Sequence, residues 1–222
     1  MKTMSAEKPI LYSTPMVQAY FEDRKTCTRR VIKPQPPKDA DVFAWFAPEI
    51  KEGKAPEGCW YEDKDGLKFH CKCPYGQVGD VLRVNETWAA EKMFDAMSPK
   101  EIETTGVGTV PLWYKTMDWQ LDREGQIRGR WRSGRFMPKW ACRLRQTITD
   151  IRVERLQEIT EEDAEAEGVT RPPNYSLTPY YKEWFKYLWN TIYKRNNRWQ
   201  DNPWVFVLSY PKYSEERRRS EG

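Results

Sequence analysis

The chain has 222 residues, of which 32% are charged, with a formal net charge of +4 at pH 7 and a mean hydropathy of −0.89. That length suits one domain with insertions, and 39% hydrophobic residues suffice for a core. No run of about 18 apolar residues occurs and 1–8 lacks a signal-peptide core, so the expectation is a cytoplasmic protein without membrane contact, its five cysteines reduced.

Along the chain, Thr14 as N-cap and Pro15 as first helical residue predict a short helix with Met16, Ala19 and Tyr20 on one face. After Asp23 the period becomes two. Thr28 and Arg30 then point one way, and Cys27, Arg29 and Val31 the other. The stretch Arg24-Lys25-Thr26-Cys27-Thr28-Arg29-Arg30 concentrates four basic side chains. Lys25, in the turn, can lean its ammonium over the face of Thr28; it can equally be solvated surface.

Residues 33–75 are rich in Pro, Gly, Lys and Glu and read as an irregular insertion with a hairpin near Trp60 to Phe69. Cys59, His70, Cys71 and Cys73 invite a zinc site. They lack the paired C-x2-C spacing of zinc knuckles, so reduced cysteines and no metal are expected. Val81 to Trp88 reads as a strand with Leu82 and Val84 on one face and Arg83 and Asn85 on the other. Residues 90–127 form a second insertion without clear periodicity.

From 128 to 145 the charge is one-sided. Arg128, Arg130, Arg132, Arg135, Lys139, Arg143 and Arg145 occur with no acid among them, interleaved with Trp131, Phe136 and Trp140. Guanidinium groups bind phosphates with counterion release, and rings stack on unpaired bases. The alternative is a charged hairpin that packs its tryptophans inward. A strand from Ala141 to Arg155 changes its buried phase near Thr149-Asp150, which implies a bulge or corner. The helix 161–167 has Thr160 as N-cap, Asp163 as capping-box acid, Ile159 stapled onto Ala164, and Gly168 at the left-handed C-terminal position. Glu167 in its last turn opposes the dipole at a cost of about 0.3–1 kcal/mol. It needs a cationic partner or a task, and Lys25 and the arginines of 24–30 are candidates. Thr178-Pro179 opens another helix whose Trp184, Phe185, Leu188, Trp189 and Ile192 read as core. Trp204 to Leu208 is apolar on both faces, a buried closing strand, and 213–222 is a charged, frayed tail.

Three of these segments, Arg24-Lys25-Thr26-Cys27-Thr28 with Arg30, Gly79-Asp80-Val81-Leu82-Arg83-Val84, and Ile159-Thr160-Glu161 through Glu167, resemble the ASCH domain family of the PUA-like superfamily, in the family's order. The long inserts and Trp-rich C-terminal part look like those of phage and prophage ASCH proteins. The resemblance implies an α+β fold: a small, partly open β-barrel with flanking helices, as one domain over 1–212 with insertions at about 33–75 and 90–127. It also implies contact with RNA, another nucleic acid or a modified nucleoside. At motif level the chain is similar to bacterial N4-acetylcytidine amidohydrolases, whose G-R-K-T-I-T-I-R motif it matches at Lys25, Thr28 and Arg30. It departs at Asp23, Cys27 and Arg29.

By that resemblance Lys25, Thr28 and Glu167 would be catalytic, without cofactor or metal, and Arg24, Arg29, Arg30 and Arg83 would join the basic stretch in binding substrate. A lysine can activate a threonine hydroxyl or a water, and Glu167 can pass the proton to the departing amine. Arginines nearby would lower the lysine pKa. Two other readings remain: a non-catalytic reader that accepts a base in the same pocket, and a ribonuclease, for which the single His70 excludes a two-histidine acid-base pair.

Overall fold

The computed structural model describes residues 6–36, 41–44, 58–62, 65–66, 68–105, 110–117, 126–172 and 180–216. The chain forms an α+β fold. Its strands are β1 (Glu7–Leu11), β2 (Cys27–Val31), β3 (Asp41–Ala44), β4 (Gly58–Glu62), β5 (Lys68–Lys72), β6 (Val81–Asn85), β7 (Trp88–Ala90), β8 (Leu112–Tyr114), β9 (Leu144–Thr147), β10 (Asp150–Arg155) and β11 (Trp204–Ser209). Its α-helices are α1 (Thr14–Phe21), α2 (Pro99–Thr104), α3 (Glu161–Ala166) and α4 (Tyr181–Ile192).

Two three-stranded sheets carry the frame. One has the order β1-β6-β9, with β1 parallel to β6, and the other the antiparallel order β10-β11-β2. Trp204 to Leu208 reads as apolar on both faces because β11 is central. Trp204, Phe206 and Leu208 pack with Ile10, Leu82, Val84, Leu144 and Tyr20 of the first sheet and α1. Val205 and Val207 pack with Cys27, Val31, Ala164, Trp184, Phe185 and Trp189 beneath α3 and α4. Each fully buried Val, Leu, Ile or Phe side chain among them contributes about 1.5–3 kcal/mol. The sheets are open, and among the described residues no barrel closes through β11.

The phase change near Thr149 is the corner between the sheets. The predicted single strand is split into β9 and β10, and Thr149 N–H donates to Ser209 O at 2.8 Å across the break. Val81 to Trp88 is likewise interrupted, with β7 leaving to pair with β8. In the first insertion the hairpin is present as β4 and β5, extended by β3 into a three-stranded sheet. The described part of the second, patternless in sequence, packs around buried Trp88, Phe94, Ile102 and Met137, with Ser98 and Glu101 forming a complete capping box on α2.

Several local expectations shift. Ser13, not Thr14, is the N-cap of α1. Thr160 does cap α3, accepting from Asp163 N–H at 3.1 Å, but the Asp163 carboxylate serves Arg29 and Arg152 instead of closing a capping box. Trp184, Phe185 and Trp189 are core, whereas Ile192 at the helix end is 50% exposed. The expected start at Thr178-Pro179 lies outside the described residues. Residues 213–216 are docked: Tyr213 packs edge-on to Tyr20 and Phe21, and Glu216 accepts from Thr147 N–H. Tyr213 is a large apolar surface that α1 can cover.

Candidate functional site

At the end of α3, Gly168 adopts φ +73. A Cβ there would lie 2.7 Å from Ala19 Cβ and 2.8 Å from Lys25 Cβ, so glycine lets α3 close onto the corner between α1 and β2. Lys25 and Glu167 then form an isolated antiparallel bridge. The Lys25 ammonium donates to Glu167 Oε2 at 2.9 Å, Glu167 O at 2.9 Å and Cys27 O at 2.8 Å. The predicted cationic partner of Glu167 is therefore Lys25. The solvated-surface alternative fails, since Lys25 is 0% exposed and Glu167 4%.

This pair is joined to a wider ionic network, in which Arg29 and Arg152 meet Glu154 and Asp163. Arg29 donates from Nε and Nη2 to Glu154 Oε1 and from Nη2 to Asp163 Oδ2 at 2.7 Å, and its Nη1 lies 3.5 Å from Glu167 Oε1. Arg152 bonds the same two acids. Burial acts to lower the pKa of Arg29, but the carboxylates outweigh it and hold the guanidinium charged. Arg24 pairs with Glu22 and donates to Gly168 O, and Arg30 donates to Leu11 O. The arginines expected to press on Lys25 are thus engaged with acids and carbonyls. Buried Arg83 donates to Asn85 Oδ1 at 3.3 Å.

The alternation of β2 is as expected. Cys27 and Arg29 face α3, while Arg30 turns towards Tyr12 and Thr28 pairs across from Leu208. Thr28 is 0% exposed, and its Oγ1 has no hydrogen-bond partner among the described residues, nor has Glu167 Oε1. Burial pushes the Cys27 thiol up to about 12, which leaves it protonated and unsuited to nucleophilic attack at neutral pH.

Sequence reasoning missed the polar chain beside the pair. Tyr210 Oη donates to Cys27 O at 2.9 Å and lies 2.8 Å from Tyr12 Oη, which in turn lies 3.1 Å from Gln146 Oε1. Burial raises both phenols, so they persist as donors. Tyr12 stands 198 positions from Tyr210 and 134 from Gln146, beyond any local signal.

The basic stretch divides. Arg132 holds up its own module, donating to Phe94 O at 2.7 Å and Met97 O at 2.9 Å. Arg143 is bound to Glu86 and Thr116, and Arg145 to Glu7. Trp140 packs edge-on to Trp88, and Trp131 lies under Arg128 at 4.4 Å and Lys115 at 4.9 Å. Both tryptophans thus follow the inward-packing alternative in part. Arg130, Arg135, Phe136 and Lys139 are exposed. Arg130, Trp131, Arg132 and Phe136 line a cleft of about 560 Å³ with Met97 and Pro99.

Cys71 and Cys73 belong to the core between the sheets, and no metal-binding group of His, Cys, Asp and Glu occurs among the described residues; the Cys59 and His70 side chains lie outside them. No helix among them is long and apolar enough to cross a membrane. Comparison with protein-family models, curated proteins and solved structures found no match.

Proposed function

We propose that this protein is a nucleic-acid-associated ASCH-like protein that grips single-stranded RNA on the surface around Phe136, formed by residues 96–101 and 130–139. The two open sheets are read as halves of a partly open PUA-like barrel. The support is that the three ASCH-like segments all fall on this frame: one at β2, one leading into β6 and one at α3. Asp23, where the resemblance expects glycine, has φ +59, a conformation glycine favours and aspartate tolerates.

Phe136 carries the reading. It is 66% exposed, yet its turn is locked: a Cβ on Gly134 would lie 2.8 Å from Glu86 O, Met137 is buried, and Ser133 Oγ accepts from Arg135 N–H. A rigid ring left in water forgoes its burial energy, whereas a base stacked on it returns about 1–3 kcal/mol. Arg130 lines the same cleft, and exposed Arg135 and Lys139 lie beside Phe136 in the chain, a supply of positive charge for phosphates. The test is anisotropy with a labelled single-stranded RNA across a salt series. Phe136→Ala should weaken binding at all salt concentrations. Arg130→Ala and Arg135→Ala should each reduce the slope of log K against log salt by about 0.7. Affinity independent of salt and of Phe136 would refute the assignment.

The second reading is hydrolysis of the N4-acyl amide of a modified cytidine. Water would add to the acyl carbon, the C–N bond would break, and acetate and the free exocyclic amine would leave, with Lys25, Thr28 and Glu167 as the working groups. It is favoured by two buried oxygens that lack a hydrogen bond among the described residues, Thr28 Oγ1 and Glu167 Oε1, the latter offset only by the Arg29 charge 3.5 Å away; a buried polar atom without a hydrogen bond costs about 1–3 kcal/mol. It ranks second because all three ammonium donors of Lys25 are engaged and the pair is enclosed. Acetate release from N4-acetylcytidine, free and within RNA, decides it. Activity should vanish in Lys25→Ala, Thr28→Ala and Glu167→Ala, and survival in any two would exclude the mechanism.

A further inference from the structure

A second cleft, of about 850 Å³, opens at the far end of α4, where the segment 195–203 passes Arg155 and Gln35. It shares no lining residue with the Phe136 cleft or with the Lys25–Glu167 pair. Among the described residues, Arg155, Arg195 and Arg198 line it against one carboxylate, Asp201.

We infer that this cleft is a phosphate-binding site, taking the phosphate group of a nucleotide or of a nucleic-acid chain. Its wall is rigid. Trp189 Nε1 donates to Asn197 O at 2.8 Å, Trp199 N–H donates to Asn190 Oδ1, and Gln157 N–H donates to Asn202 Oδ1. Asn197 and Asn202 take the left-handed conformations, φ +59 and +42, that asparagine tolerates and that bend the segment round the cleft. Arg155 lies 4.3 Å over the Trp204 ring with Nη1 on Asn202 O, which fixes the plane of its guanidinium. Asp201 spends one oxygen on Arg198 N–H at 2.8 Å, and the Arg198 guanidinium reaches that oxygen only at 3.9 Å, with both side chains over 40% exposed. Such a pair neutralises little charge, and the other group facing the Arg198 guanidinium among the described residues, the Gln200 side-chain oxygen at 2.6 Å from Nη2, is neutral. Arg195 is exposed on the same rim. The oriented planar fork of Arg155 beside the more exposed guanidiniums of Arg195 and Arg198 matches the oxygens of a phosphate, and the volume suits a nucleotide-sized ligand. Among the described residues the apolar lining is Pro36 and Pro203, which disfavours a hydrophobic occupant.

The test is calorimetric titration of the full chain with inorganic pyrophosphate, and with one RNA oligonucleotide carrying either a 5′-phosphate or a 5′-hydroxyl. The double variant Arg195→Ser/Arg198→Ser should lose on the order of tenfold in affinity for pyrophosphate or for the RNA, while Phe136→Ala leaves pyrophosphate binding unchanged. Loss with pyrophosphate identifies a free or terminal phosphate, and loss confined to both RNAs equally identifies the chain backbone; either supports the site. Unchanged affinity for all three probes overturns it. The unfolding midpoint of the variant is the control for folding, and the single exposed change Arg195→Ser repeats the measurement should the double variant unfold.

Discussion

Gly168 shows how much one residue can decide here. Its left-handed φ of +73 and the 2.8 Å approach of a hypothetical Cβ to Lys25 Cβ make it the position where α3 meets the α1–β2 corner. Gly168→Ala should destabilise the protein by about 1–2 kcal/mol from the conformation alone, with more from the clash, measured by urea unfolding. The Lys25–Glu167 pair makes a matching prediction. Removing one partner strands a buried charge, so Lys25→Met or Glu167→Leu alone should cost about 3–5 kcal/mol, and the double variant less than the sum. Additive losses would mean that the two groups are independent, against the 2.9 Å contact. Glu167 in the last turn of a helix was legible in sequence as a group in need of a cation. Only the fold decided that Lys25, and not an arginine, meets it most closely.

At the scale of elements, α3 is tied to the β10-β11-β2 sheet by Asp163, which receives Arg29 and Arg152 together. Burial acts to raise the pKa of this carboxyl, but the bond from Arg152 and the charge of Arg29 outweigh it and hold it below the ordinary aspartate value. A carboxylate depressed in the folded state stabilises above its unfolded pKa, about 3.9, and loses that contribution as pH falls through the folded value. The unfolding midpoint should therefore drop below about pH 4, and Asp163→Asn should flatten that acid limb; an unaltered limb would detach Asp163 from the network. The module built on β7, β8 and α2 shows the opposite case. Arg132 looks like any other member of the basic stretch, yet its guanidinium bonds the carbonyls of Phe94 and Met97. Arg132→Ala should lower thermal stability, whereas exposed Arg135→Ala should not, a contrast that composition alone does not reveal.

For the whole molecule, the first and last described segments are tied into the fold. Glu7 of β1 pairs with Arg145, and Tyr213 and Glu216 reach back to α1 and β9. Deleting the residues after Lys212 should therefore expose Tyr20 and Phe21 and lower the unfolding midpoint, an effect absent from a merely frayed tail. The sequence by itself determined what depends on neighbours in the chain: the period-two alternation of β2, the Thr160 cap and Gly168 stop of α3, the apolar face of α4, and the corner between β9 and β10. These follow from residue spacing and local hydrogen bonding. Tertiary structure alone decided which charges are solvated and which are buried. It split the basic stretch into structural and exposed arginines, linked Tyr12 to Tyr210 and Gln146, and made Trp204–Ser209 a central strand where a closing one was expected. The reason is that burial and pairing are set by residues far apart in the chain, and the same guanidinium is a phosphate ligand in water or a structural strut beneath two carbonyls according to what packs over it.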